Sequence, residues 1–151
     1  MSREMPGLPP PSLTEVSTPY WQGAGRGKLL VQRCDGCGSH RHPPTTACYR
    51  CQSQSYSWDE IEGNGAVYSY IWADRPVTED FEHLGLYNVS VVELDGTEGE
   101  PVRIVARVNG VDKETLEVGL PVEVDFDPLD DGGADDEPIA LPVFVPRAPT
   151  A

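Results

Sequence analysis

The sequence predicts a mainly β fold: a short N-terminal helix and a small metal ribbon, followed by a five-stranded barrel. Three observations predict it. All four cysteines fall into two C-x-x-C pairs separated by ten residues, Cys34/Cys37 and Cys48/Cys51. After Cys51 the apolar residues alternate with period two, in runs rich in β-branched and aromatic side chains. Gly and Pro, 15 of each, make up about one fifth of the 151 residues. That density cuts the chain into short elements, yet stays below the roughly 25–30% typical of low-complexity chains.

Residues 1–13 are Pro-rich and aperiodic, and read as a flexible tail or linker. Thr18-Pro19 reads as a helix start, a hydroxyl cap followed by Pro at the first helical position, and Gly23 and Gly25 end the helix soon after. Residues 27–33 (GKLLVQR) form a strand leading into the first cysteine pair. Residues 66–73 (AVYSYIWA) read as a strand with Val67, Ser69, Ile71 and Ala73 on one face and Tyr68, Tyr70 and Trp72 on the other. Further strands follow at 87–94, 102–108, 121–127 and 139–145, with a short helix at 111–119 capped by Asp112 and stopped by Gly119. Residues 128–138 (PLDDGGADDEP) form an acidic loop. Five strands with a short helix between the third and the fourth is the order of an OB-fold barrel; a small sandwich needs more strands than the pattern offers. The resulting organisation is a tail at 1–13, helix and ribbon at 14–58, barrel at 59–146 and a tail at 147–151.

The net charge is −14 and it is unevenly spread. Residues 26–51 carry Arg26, Lys28, Arg33, Arg41 and Arg50 against Asp35 alone, a net +4, whereas residues 52–151 carry −17. Such a field opposes general nucleic-acid binding, which requires phosphate neutralisation, but leaves room for one anionic group on the ribbon. No apolar run approaches the ~18 residues of a membrane span, and the N-terminus has no apolar signal region. Four cysteines without a secretory signal favour a reducing, cytoplasmic setting and a metal over disulfides.

Two facing C-x-x-C knuckles present four thiolates in the tetrahedron zinc prefers, and four thiolates leave no open position for catalysis. Iron accepts the same ligands, and free or bridged cysteines are the remaining alternative. Arg33 and Arg50 sit one residue from a ligand, where they offset the −2 charge of such a centre. His40 and His42, between the pairs, read as surface residues. His83, in the loop 74–85, is a candidate general base without a nucleophile to serve. Residues 23–28 lack the first Gly and the Ser/Thr of a phosphate loop, and Asn88-Val89-Ser90 lies inside a strand, where a glycosylation acceptor has no use. No self-contained catalytic set is present. Tyr68, Tyr70 and Trp72 together suit either a base-stacking platform or a partner-binding face.

Several stretches together resemble a known family. They are the Thr18-Pro19-Tyr20-Trp21 start, residues 27–44 (GKLLVQRCDGCGSHRHPP), 48–53 (CYRCQS), Trp58, 63–70 (GNGAVYSY), 118–126 (VGLPVEVDF) and 141–146 (LPVFVP). The chain is similar, over about residues 14–146, to the proteins of domain of unknown function 35, which join a rubredoxin-like zinc ribbon to an OB-fold. The resemblance implies an accessory protein that supports thiolase-fold enzymes acting on acyl-CoA thioesters, through aldolase-type cleavage or acyl transfer. It further implies, in some members, fusion to a hot-dog-fold hydratase and a place in steroid side-chain degradation. Residues 1–13 would suit a linker after such a hydratase domain. On this reading Cys34, Cys37, Cys48 and Cys51 hold one structural zinc. Arg26, Lys28, Arg41 and Arg50 meet the CoA phosphates or an acidic patch of the partner. Tyr68, Tyr70, Trp72 and Phe144 are docking anchors, and catalysis belongs to the partner. The alternatives are a single-stranded nucleic-acid-binding ribbon/OB protein and an enzyme that uses His83.

Overall fold

The computed structural model describes residues 10–76, 78–129 and 137–148. Most of the tail expected at 1–13, the middle of the acidic loop and the end of the tail expected at 147–151 lie outside them. The fold class is the expected one: one short helix, a ribbon and a five-stranded barrel in a mostly β chain.

Helix α1 (Thr18–Gly25) begins at the residue expected to cap it. Ser17 is the cap and Thr18 is already helical, its hydroxyl donating to the Thr14 carbonyl at 2.6 Å. The chain leaves the helix through Gly27, whose φ of 76° few other residues adopt. Strand β1 (Leu29–Cys34) follows, and its alternation turns Leu29 and Val31 into the core. It is the centre of a three-stranded antiparallel sheet, between β2 (His40–Arg41) and β3 (Tyr56–Ile61). β3 pairs with β1 along its whole length, from Leu29 opposite Ile61 to Cys34 opposite Tyr56. The ribbon sheet therefore runs through the boundary expected at 58/59.

The barrel comprises β4 (Asn64–Ala73), β5 (Tyr87–Leu94), β6 (Arg103–Ala106), β7 (Pro121–Leu129) and β8 (Ile139–Pro146), in the antiparallel order β6-β5-β4-β7-β8. A parallel bridge between Val108 and Phe144 brings the two edges together. Asn88 reinforces that closure from inside. Its side chain donates to the Val108 carbonyl at 2.8 Å and accepts from the Val108 N–H at 3.0 Å. An amide buried in this way is satisfied by backbone on both its ends.

Two elements differ from the sequence expectation, the segment 111–119 and the faces of β4. Residues 111–119 do not form a helix. The Asp112 carboxylate does accept the N–H groups of Glu114 and Thr115, as a helix cap would. The following residues are instead drawn to β4, where the Gly119 N–H meets the Val67 carbonyl at 2.8 Å and the Val67 N–H meets Leu120 at 3.0 Å. The intervening turns drop Leu116 into the core. The faces of β4 also differ. A bulge between Val67 and Ser69 shifts the register, so that Val67, Tyr70 and Trp72 stand opposite Val92, Ser90 and Asn88 on the inner face. Ser69 and Ile71 stand opposite Val91 and Val89 on the outer one. An unbroken period of two cannot anticipate that extra residue.

The core is continuous from ribbon to barrel. Tyr20, Leu29 and Val31 pack in one cluster with Val67, Val92, Leu116, Val122 and Phe144. Each such side chain stabilises the fold by roughly 1.5–3 kcal/mol through burial. Phe144, expected as a docking anchor, is 0% exposed and is a core residue. β8 is covered by α1 on one side and bridged to Val108 on the other, so its inward residues meet no solvent.

Candidate functional site: a four-cysteine metal centre and the cleft beside it

β1 delivers Cys34 to the first knuckle, and the turn at 48–51 supplies the second. In each, the first cysteine's carbonyl accepts a backbone N–H from four residues on: Gly38 to Cys34, and Gln52 to Cys48, both at 2.9 Å. Gly38, at φ 77°, and Gln52, at φ 66°, take the left-handed backbone that these tight turns demand. The two turns are held by a second pair of bonds, Cys34 N–H to the Ser39 carbonyl and Cys48 N–H to the Ser53 carbonyl. Asp35 braces the first knuckle against β3, its carboxylate accepting the hydroxyls of Ser55 at 2.8 Å and Ser57 at 2.9 Å. Those two donors hold its carboxyl below the usual carboxylate range.

The four sulfurs lie within 4.8 Å of one another, with Cys34 Sγ 3.5 Å from Cys51 Sγ and Cys37 Sγ 3.7 Å from Cys48 Sγ. A tetrahedron with metal–sulfur bonds of about 2.3 Å has sulfurs about 3.8 Å apart, so one zinc fits. All four cysteines are free of disulfides. The backbone amides of Cys51 and Arg50 hold the Cys48 thiol down to about 6, as a ligand ready to ionise. The Ser53 amide draws the Cys51 thiol down too, but the neighbouring sulfurs outweigh it and leave that thiol raised, to about 11. Sulfurs so close cannot all ionise unless a cation sits among them, which is what the donor set supplies a place for.

Beside the metal centre the ribbon meets the barrel. His40, expected at the surface, is buried and pins the two together. Its Nδ1 accepts the Glu98 N–H at 2.8 Å, so its Nε2 carries the proton and faces Asp59 Oδ2 at 2.8 Å. Its own N–H donates to the Glu98 carbonyl at 2.9 Å. His42 is half-buried against the Tyr20 ring, with centroids 5.0 Å apart. Next to this junction lies a cleft of about 400 Å³, whose walls include His40, Arg41, Pro43, Tyr49, Glu100 and Arg103.

The expected cationic residues are not brought to one place. Arg41 lines the cleft and is only 5% exposed. Arg26 is exposed and pairs with Glu137 at 3.3 Å. Lys28 and Arg50 are exposed on the ribbon. Arg103, which the sequence reading passed over as a strand residue, joins Arg41 in the cleft wall. Of the expected aromatic anchors, Tyr68 alone points out, 49% exposed, with the Arg103 guanidinium 3.9 Å from its ring centroid. Tyr70 and Trp72 pack against the core. A three-ring stacking platform is thus not formed. The outer face of β4–β5–β6 instead offers aliphatic residues: Ile71 beside Val89, and Val91 beside Val105, with Ile71 62% and Val105 67% exposed. His83 is exposed in a 3-10 turn (Glu79–Leu84), from which Phe81 stacks on Tyr87 at 6.0 Å. No helix among the described residues is long and apolar enough to cross a membrane.

Comparison with known proteins agrees with this architecture. A family model described as the rubredoxin-like zinc ribbon domain of ChsH2 matches residues 21–57, and one described as the C-terminal OB-fold domain of ChsH2 matches residues 58–127. A probable enoyl-CoA hydratase alpha subunit of Thermomonospora curvata is 38% identical over 143 residues, which is 93% of this chain and 40% of that protein. The 3-oxo-4,17-pregnadiene-20-carboxyl-CoA hydratase alpha subunit of Mycobacterium tuberculosis is 27% identical over 116 residues, 77% of this chain and 35% of that one. The chain thus spans well under half the length of these two curated relatives. Among solved structures, a chain of the Ltp2-ChsH2(DUF35) aldolase superposes with a TM-score of 0.72 at 34% identity, covering 90% of this chain and 98% of that one.

Proposed function

The chain belongs to the ChsH2 family of zinc-ribbon/OB-fold (DUF35) proteins, and from that membership we propose that it is a non-catalytic accessory subunit of an enzyme acting on acyl-CoA thioesters. The partner is a thiolase-fold enzyme performing aldolase-type cleavage or acyl transfer. The observation that carries this reading is the match, at 34% identity and over 98% of its length, to the chain solved as part of the Ltp2-ChsH2(DUF35) aldolase. The two hydratase-named relatives support acyl-CoA as the substrate class and a hydratase domain preceding this one in some proteins. The pregnadiene carboxyl-CoA in one of those names supports steroid side-chain degradation as the setting.

The zinc is structural on this reading, and the docking surface is the outer face of β4–β5–β6. Ile71 with Val89 on β4–β5, and Val91 with Val105 on β5–β6, gather aliphatic side chains on one outer sheet face, and contiguous exposed apolar groups mark interaction sites. Arg26, Lys28 and Arg50 lie open on the basic ribbon, available to CoA phosphates or to an acidic patch of the partner. The Arg26–Glu137 pair is exposed on both sides and worth little, so it exchanges easily. Arg41 is buried and takes only a group that enters the cleft. The nucleic-acid reading loses its support with the inward turn of Tyr70 and Trp72.

The test is to mix the chain with an Ltp2-type aldolase, measure mass by light scattering after gel filtration, and follow acyl-CoA cleavage. We expect a stable hetero-oligomer and a rate at least about tenfold above the aldolase alone, with no turnover by this chain alone. Separate elution with an unchanged rate would refute the reading.

A further inference from the structure

Arg41 is buried at the junction of ribbon and barrel, and its charge goes unanswered. Its Nη2 donates to the Thr45 carbonyl at 3.2 Å, and its Cζ lies 5.6 Å from the centroid of the Tyr56 ring. Both are neutral groups. Its Nε and Nη1 have no hydrogen-bond partner, and among the described residues no carboxylate forms an ion pair with it. A guanidinium cannot shed its proton to escape the cost of burial. An unpaired buried charge opposes folding until an anion meets it. Arg41 is also anchored at its backbone and at one guanidinium nitrogen. Its strand pairs with β1, and the Thr45 backbone it binds is itself gripped by the buried Gln32 through two bonds of 2.9 Å.

We propose that the cleft between the ribbon and the barrel binds a small organic monoanion, with its carboxylate on Arg41. The cleft decides the ligand's charge. Arg103 in the same wall already pairs with Glu93 at 3.0 Å, so Arg41 is the cation of this wall that no carboxylate pairs. Glu100, also in the wall and bonded by the Tyr49 hydroxyl at 3.4 Å, repels any anion and a dianion more strongly, which limits the ligand to a single negative charge. The cleft decides size as well. About 400 Å³ falls within the roughly 300–1,000 Å³ of small-molecule sites and far exceeds a bare ion. Its apolar wall residues, Pro43, Ala47, Pro101 and Val102, suit a short apolar body behind the acid. A planar carboxylate matches the fork of a guanidinium through paired hydrogen bonds. This binding needs no partner enzyme and stands apart from the accessory role.

The test uses the full zinc-loaded chain, labelled with nitrogen-15. The assigned Arg41 Nε–H resonance is followed during titration with sodium benzoate, with benzamide as the neutral isostere, at ionic strength held constant with sodium chloride. Benzoate should shift the resonance saturably at millimolar concentration or below, and benzamide should leave it in place. Glu100→Gln should tighten benzoate binding severalfold, and Arg41→Gln should abolish it. If Arg41→Gln fails to fold, the wild-type titration and Glu100→Gln decide the matter. An unmoved resonance, or an equal response to benzamide, overturns the proposal. So does full displacement of benzoate by an added aldolase, which would assign the carboxylate to a side chain of the partner.

Discussion

Cys48 shows how single backbone amides prepare a metal ligand. The N–H groups of Cys51 and Arg50 point at its sulfur, the latter at 3.4 Å, and hold the thiol down to about 6 before any metal arrives. The ligand spacing was legible in the sequence, because only the residue types and the interval matter to it. Replacing any one of Cys34, Cys37, Cys48 or Cys51 by Ser should drop zinc content from one per chain to a small fraction. It should also remove much of the roughly 10–16 kcal/mol that structural zinc supplies. Metal analysis and far-ultraviolet circular dichroism check both. His42 yields a second outcome at this scale. Burial against Tyr20 holds its imidazole down to about 4, from an ordinary 6.5. Between those values the unfolded chain binds the extra proton, so stability is full above about pH 6.5 and falls as pH drops towards 4. The loss at pH 5 is about 2 kcal/mol. His42→Phe keeps a ring against Tyr20 and removes that loss. The urea midpoints of the two proteins should therefore diverge between pH 7 and pH 5, the variant falling less. Neither this burial nor the pinning of His40 could be read from a polar stretch of sequence, since the first depends on Tyr20 of helix α1 and the second on a barrel turn at Glu98, 58 residues away.

Among the elements, β4 departs most from its sequence. Alternation assigned its residues correctly up to Tyr68 and inverted them from Ser69 on, because one bulged residue moves everything beyond it to the other face. The bulge is stabilised by the segment at 119–120, which hydrogen-bonds to Val67 on both its N–H and its carbonyl. That same capture explains the missing helix at 111–119. A local cap signal at Asp112 competed with a strand partner distant in sequence, and the partner prevailed. β1 and the barrel strands β5 to β8 were legible within a few residues, since each carries its own alternation; β2, only two residues long, and β3, the largely polar run YSWDEI, were not, because only their pairing with β1 makes them strands. The bulge makes a sharp prediction. Tyr70→Ala should destabilise the chain by about 2 kcal/mol or more, as a core truncation does. Tyr68→Ala should cost under about 1 kcal/mol, losing only the Arg103 contact. Denaturant melts of the two variants decide, and equal costs would mean that both rings share a face.

The whole molecule combines an acidic barrel with one basic ribbon and one aliphatic outer face. Charge would keep such chains apart from one another, while the neutral face leaves a way for a different protein to approach. Ile71→Glu and Val105→Glu place a carboxylate on that face without touching the core, so melting temperature should move by no more than a few degrees. Co-elution with an Ltp2-type aldolase should weaken at least tenfold, as when a central apolar contact of an interface is lost. Gel filtration of variant mixtures reads this directly. The location of this face was not legible, because the bulge decides which of Tyr70 and Ile71 it displays. The strand β1, finally, serves two structures at once: its last residue binds the metal, and its Leu29 and Val31 lie in the barrel's core. A gene-shuffling crossover between family members placed after Ile61 would graft a foreign Leu29–Val31 pair onto unmatched barrel walls. Chimeras should therefore tolerate exchange only when ribbon and inner barrel residues travel together, which makes the two halves one unit of inheritance.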